Sequence, residues 1–327
     1  SKDAEGLARV QRIGGELAAI ANDHIVRVTW GDPRLNTFEY SFKLIEGKDV
    51  NAFSLPGGFI FVYEGLLTTA ETDDELAGVL AHEISHASFR HIATLQREAS
   101  KMQSITLPLI LIAILTGGNS GAGLLTGTSL LDQAINSGWS VKAEQSADYG
   151  AVQYMLKSRY NPVGVLTFME RLHYKDRYAS SIDWGIYRTH PPTRERAESI
   201  RQRLQDAGVP IERSKVTRSL RTLKTTADDG AVTLSFAGTD IVTFAGADAA
   251  ARAAKTVQTL DPFMDRVPKL YEVRANGAQV AARGRTLFIV SSADAQRAKS
   301  TVEAVASEAA EKLKKAIYDL GYRVWEF

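Results

Sequence analysis

The chain has 327 residues, 44% hydrophobic and 24% charged, a composition for one large or two ordinary globular domains with a core of normal size. A formal charge of +1 without long single-sign runs gives no electrostatic reason to expect nucleic acid or an anionic membrane surface as partner. The absence of cysteine excludes disulfides, thiolate metal sites and a cysteine nucleophile, and leaves the redox compartment open.

The chain starts at Ser1 without an apolar signal core, so a removed targeting segment is expected. Residues 4–22 carry Leu7, Val10, Ile13, Leu17 and Ile20 at helical spacing and stop near Asn22-Asp23. Strands are expected next. Residues 25–30 are β-rich, Gly31-Asp32-Pro33 breaks them, and Phe38, Tyr40, Phe42 and Leu44 then alternate with polar residues as in a half-buried strand. Residues 50–55 and 59–63 flank Pro56-Gly57-Gly58 and read as two strands, or a strand and a bend. An edge strand there can bind an extended peptide through main-chain hydrogen bonds, with Asn51 as a side-chain partner and Gly57 and Gly58 permitting close approach. An ordinary hairpin turn is the equal alternative.

Thr72-Asp73-Asp74-Glu75 has the form of a capping box, and Leu76, Val79, Leu80 and Ile84 continue it at helical spacing, which predicts one partly buried helix over 73–91. That helix carries His82-Glu83-Ile84-Ser85-His86. Residues four apart share a helix face, so His82 and His86 can present two imidazole nitrogens to one metal ion, while Glu83 can hold a water as general base without being a ligand. Unpaired, these groups would cost several kcal/mol when buried, on the order of the penalty for taking polar groups out of water. Residues 107–115 are almost wholly apolar and run into a glycine-rich stretch, but Pro108 and the glycines keep the run below the ~20 residues of a membrane span. A buried helix and loop is one reading of 105–131; a flap over the cleft or a peripheral membrane contact is the other.

Two histidines do not close a catalytic metal site. Residues 140–158 read as a helix stopped by Asn161-Pro162, and Glu144 and Asp148 share one of its faces, so Glu144 can be the third ligand and Asp148 can orient a ligand histidine. His190-Pro191-Pro192-Thr193 precedes a helix that has Thr193 as N-cap and Arg194 and Arg196 in its first turns. His190 can stabilise an oxyanion from that loop, or simply pack against the prolines. His24, His91 and His173 are expected to be structural, with His91 on the same helix as the paired histidines.

Taken in order, Asn51-Ala52-Phe53-x-x-Pro56-Gly57-Gly58, His82-Glu83-x-x-His86, Glu144-x-x-x-Asp148 and His190-Pro191-Pro192 with Arg196 resemble the zinc gluzincin family of CAAX prenyl proteases, HtpX, Oma and BepA-type peptidases. The resemblance covers roughly residues 1–212. It implies one Zn2+ per chain on His82, His86 and Glu144, with Glu83 as base. It also implies Asn51 and the following strand beside the backbone of a protein or peptide substrate, and His190 and Arg196 near the transition state. In some members the His-Pro histidine takes the metal's open position, which implies a self-inhibited resting state through His190. Without clear transmembrane helices the chain is similar to the soluble bacterial envelope members, which implies a periplasmic or envelope location.

Those members often continue into helical repeats; residues 213–327 are expected to form something else. Residues 230–249 and 278–295 each give a β-rich pair about Gly238 or Gly284, followed by Ala-Asp-Ala at Asp248 or Asp294 and then a helix. The expected fold is α+β. Residues 1–212 form a mostly helical zincin-like metallopeptidase domain with a small antiparallel sheet, and residues 213–327 a smaller α+β domain with a β-β-α repeat. In this reading 213–226 is a linker, Tyr322-Arg323-Val324-Trp325 a last strand, and the second domain a packing module or a dock for a protein partner. The expected function is zinc-dependent endopeptidase action on misfolded or envelope proteins; a zinc-stabilised chaperone-like or binding protein with latent proteolysis is the alternative.

Overall fold

A computed structural model describes residues 2–34, 37–99, 141–178, 190 and 193–320. The apolar segment 105–131, Pro191, Pro192 and residues 322–325 lie outside the described residues. The chain divides into two compact units between Val209 and Pro210, with residues 173–178 clustering with the second. Among the described residues no helix is long and apolar enough to cross a membrane.

The first unit opens with α1 (Ala4–Asp23), whose N-terminus is capped by Asp3 accepting from the Gly6 amide at 2.8 Å and whose Val10, Ile13 and Leu17 are buried. Strands β1 (Ser41–Ile45), β2 (Ala52–Leu55) and β3 (Phe59–Tyr63) form a sheet in the order β1-β3-β2. β2 runs antiparallel to β3, whereas β1 runs parallel to it, so this sheet is mixed and β2 lies at its edge. Gly57 and Gly58 turn the chain between β2 and β3 at φ of +97° and +87°, a conformation that costs glycine least.

Four of the helices around the site come next: α2 (Asp73–Ser88), α3 (His91–Ala99), α4 (Val141–Met155) and α5 (Val163–Tyr178). α2 is buried on every face from Glu75 to Ala87, packed among α1, α4 and β2, and so is the central helix of the unit. Thr72 caps it by accepting from the Glu75 amide at 3.3 Å, and three acidic residues in its first turn meet the positive end of its dipole. Glu75 returns its carboxylate to the Glu71 amide at 2.9 Å rather than to Thr72, and Arg171 pairs with that same carboxylate. α2 and α5 cross at two glycines. A Cβ on Gly78 would stand 2.8 Å from the Val165 nitrogen, and one on Gly164 would collide with the Asp74 carbonyl oxygen.

Two expectations for this unit are corrected. Residues 25–30 form no strand: Ile25 is exposed, and the Trp30 main chain is used by Ser146, whose hydroxyl accepts from its amide at 3.2 Å and donates to its carbonyl at 2.9 Å. The helix expected over 73–91 stops at Ser88, Arg90 turns left-handed at φ +52°, and His91 starts a new helix. No glycine or proline marks this break. Tertiary contact makes it, because the Phe89 carbonyl accepts from the Asp32 amide at 2.8 Å and Gly31 packs directly on that carbonyl.

The second unit holds two sheets, β4-β5-β6 (Leu223–Thr226, Val232–Phe236, Thr239–Phe244) and β7-β8-β9 (Val273–Asn276, Gln279–Ala282, Arg285–Ile289), each an antiparallel meander followed by helix. The two halves match in detail. Each hairpin turns on a non-glycine and a glycine of positive φ, Ala237-Gly238 and Arg283-Gly284, and each shifts register at the equivalent step, Leu234/Ser235 and Val280/Ala281. Residues 223–226, expected in a linker, are the first strand of the first half; their fully exposed pattern hid them from a search for buried alternation. One shared core, including Phe236, Phe244, Leu260, Phe288 and Leu313, holds the halves together.

The glycine crossing gives a test of packing around the central helix. Gly164→Ala should cost about 1–3 kcal/mol by overpacking, lowering the thermal midpoint by roughly 2–4 °C per kcal/mol. Calorimetry showing an unchanged midpoint would mean that the two helices are free to spread.

Candidate metal centre

One turn of α2 separates His82 from His86, and both rings project into the unit rather than into solvent, with relative exposures of 7% and 3%. Glu144 and Asp148 are brought to them by α4, again one turn apart. His82 Nε2 and His86 Nε2 are 3.0 Å apart and lie 3.3 and 3.2 Å from the two Glu144 oxygens. His190 Nδ1 adds a fourth donor, 3.2 Å from His82 Nε2 and 3.1 Å from both Glu144 oxygens. These four ligand atoms lie within 4.8 Å of one another.

Behind them stand groups that aim the ligands. Asp148 Oδ1 is 3.0 Å from His82 Nδ1, which leaves Nε2 for the cluster. Arg196 lies in the first turn of α6 (Arg194–Asp206), where Thr193 accepts from its amide at 3.3 Å. Its guanidinium forks onto Asp148 with two bonds of 2.7 Å and reaches Glu144 through Nη1 at 2.9 Å. The Ser54 hydroxyl on β2 holds the Glu83 carboxyl down against burial, and Glu83 faces His190 Nε2 at 3.3 Å. A cavity of about 50 Å³ opens at Glu83 and His190, with Val79, Val165, Phe168 and Met169 in its wall.

Burial and charge pull these groups apart. Burial is the largest influence on Glu144 and opposes its charge, yet His190, Arg196 and His86 together hold its carboxyl well below the usual range. Asp148 is also lowered, by Arg196 and His82 against burial. Burial raises Glu83 and drives His86 well below its ordinary value. His82 goes the other way: Asp148 and Glu144 outweigh burial and push it up to about 10. Burial lowers His91 to about 4. The site therefore attracts positive charge, and without a metal it takes a proton on His82.

The donor set fits a metal ion. A tetrahedral ion about 2.0 Å from nitrogen and oxygen ligands spaces them by roughly 3.3 Å, close to the separations here. Glu83, Glu144 and Asp148 offset by Arg196 leave an excess of negative charge that a divalent cation balances. A buried helical pair of histidines, a glutamate from a second helix and a free carboxylate beside them define a metallopeptidase site of the gluzincin type. Residues 12–204 match the profile of peptidase family M48, and the chain belongs to that family of metal-dependent peptidases.

The chain is 31% identical over 168 residues to the β-barrel assembly-enhancing protease of Escherichia coli K12, a match covering 50% of this chain and 34% of that protein. It is 27% identical over 175 residues to metalloprotease LoiP of the same strain, covering 54% of this chain and 67% of that protein. It is 29% identical over 180 residues to the mitochondrial metalloendopeptidase OMA1 of Schizosaccharomyces pombe, covering 55% of this chain and 51% of that protein. The match thus spans about a third of the first of these relatives.

The structure brings His82, Glu83, His86, Glu144, Asp148, His190 and Arg196 together. Asn51 is buried just ahead of β2, and its carbonyl accepts from the Tyr63 amide at 3.0 Å. Gly57 and Gly58 serve the turn; Gly58 packs on Phe38 and accepts from the Ser41 amide through its carbonyl at 2.9 Å. Sequence reasoning missed Ser54, Trp30 and the role of His91. On an unbroken helix His91 would sit about 140° round from His86, so only the break at Arg90 lets the two rings meet, Nδ1 to Nδ1 at 2.9 Å.

A metal that replaces the His82 proton should release about one proton per ion at pH 8, with affinity that rises with pH. Because His82 is raised in the metal-free chain, the cost of removing its proton falls as pH climbs toward about 10. Calorimetric titration with Zn2+ in buffers of different ionisation enthalpy counts that proton. Tight binding with none released would contradict a protonated His82.

Proposed function

We propose that the chain is a zinc-dependent endopeptidase in which His82, His86 and Glu144 hold the ion and Glu83 is the general base. The observation that carries this reading is the position of Glu83. It is buried beside the ligand set, next to Ser54 of β2, and burial raises its carboxyl, the direction that strengthens a carboxylate as a base. Bound zinc would supply Lewis acidity, polarising the scissile carbonyl and easing loss of a proton from water. Glu83 takes that proton and delivers it to the leaving amine. Edge strand β2 and Asn51 receive the substrate backbone, and the apolar wall of the adjoining cavity suits an aliphatic side chain beside the scissile bond. With two of its nitrogens on Asp148 and one on Glu144, Arg196 positions the ligand Glu144 together with the carboxylate that orients His82.

His190 closes the ligand set as a fourth donor, which is the basis for a self-inhibited resting state; once displaced by substrate, its ring can donate to the oxyanion. A set of four protein ligands is also how structural zinc is held, and this favours the second reading, a zinc-stabilised binding or chaperone-like protein with latent proteolysis. The kinship to the β-barrel assembly-enhancing protease supports misfolded or envelope proteins as substrates and a periplasmic or envelope location. The second unit, without a site of this kind among its described residues, is assigned to docking a protein partner.

Casein hydrolysis by the zinc-loaded parent, Glu83→Gln and His190→Ala separates the two readings. The peptidase reading expects Glu83→Gln to keep stoichiometric zinc and lose about 10²–10⁴-fold in rate, and His190→Ala to cut faster than the parent. Equal cutting by Glu83→Gln would remove Glu83 as base. Zinc without cutting in any of the three would favour the binding protein.

A further inference from the structure

We propose that His91 is a positioning residue that fixes which nitrogen of His86 is offered to the metal, working as the middle link of a chain from the Trp30 carbonyl. The inference rests on the metal reading above, and its evidence is geometric. His91 Nε2 lies 2.9 Å from the Trp30 carbonyl oxygen, which can only accept, so Nε2 carries the His91 proton. Its other nitrogen, Nδ1, is then a lone pair. That lone pair faces His86 Nδ1 at 2.9 Å, so His86 Nδ1 must donate and its Nε2 is left unprotonated toward Glu144. The ring is held in place by Trp30, Phe89 and His86, with ring centroids 5.2, 5.7 and 4.8 Å away.

The anchor of the chain is held from the ligand helix itself. Ser146, two residues beyond Glu144, donates to the Trp30 carbonyl and accepts from the Trp30 amide. The left-handed Arg90 brings His91 to this point. The two ligand histidines are thus oriented by different means: His82 by a carboxylate, His86 by a neutral imidazole that adds no charge to the site.

The test uses His91→Phe, which keeps an aromatic ring and removes both bonds, and His91→Gln, whose amide supplies one acceptor and one donor. Zn2+ affinity is read by competition with a chromophoric chelator, and ring protonation by long-range 15N–1H spectra of the zinc-loaded parent. The expected result is a loss of about 10–100-fold in Zn2+ affinity for His91→Phe, substantial recovery in His91→Gln, and a parent His91 protonated on Nε2 alone. Parent-like affinity in a folded His91→Phe, or a parent His91 protonated on Nδ1, would overturn the proposal. If His91→Phe fails to fold, the parent spectrum decides. If the parent binds no zinc, the metal reading fails, and the spectrum of the metal-free parent still decides the His91 tautomer.

Discussion

The first unit is organised around an uncompensated charge. Glu144 and Asp148 are buried as anions on one helix, Glu83 is buried beside them on another, and one guanidinium, Arg196, answers them. Carboxylates taken out of water persist only when paired or bound to a metal. Arg196 pairs Asp148 completely and Glu144 in part, so the remaining demand falls at the place where His82 and His86 point their Nε2 atoms. A proton on His82 answers part of that demand, and a divalent ion would answer more of it.

Much of the surrounding fold serves to hold this arrangement. The central helix is buried on all sides because it must carry histidines away from water, and two glycines let α5 come close enough to cover it. The stretch from Trp30 to Asp32 has no regular structure, yet its main chain clips to Ser146 on α4 and ends α2 by capturing the Phe89 carbonyl. The edge strand proposed to receive substrate packs on the central helix that carries the proposed base. The second unit repeats a meander and helix with matching turns and bulges around a core of its own.

What could be read from the sequence was whatever repeats at a fixed period. The His-Glu-x-x-His pair and the Glu144-Asp148 pair are each one helical turn, and the structure brings the two pairs into contact. The twin hairpins were legible from glycine spacing and alternation, because Gly238 and Gly284 need positive φ. What escaped depended on tertiary contact. The break at Arg90 has no local breaker, so His91 looked misplaced by about 140° on a continuous helix. Residues 25–30 have strand composition but the Trp30 main chain is spent on His91 and Ser146, and β4 lies exposed on both faces, so alternation could not reveal it.

The most direct test of the account is X-ray absorption at the zinc K-edge of the zinc-loaded chain. The arrangement predicts imidazole scattering from His82 and His86, light-atom ligands at about 2.0–2.1 Å and four-coordination, with one imidazole lost in His86→Ala. A spectrum of oxygen neighbours alone, unchanged in His86→Ala, would contradict a metal centre built on this helix.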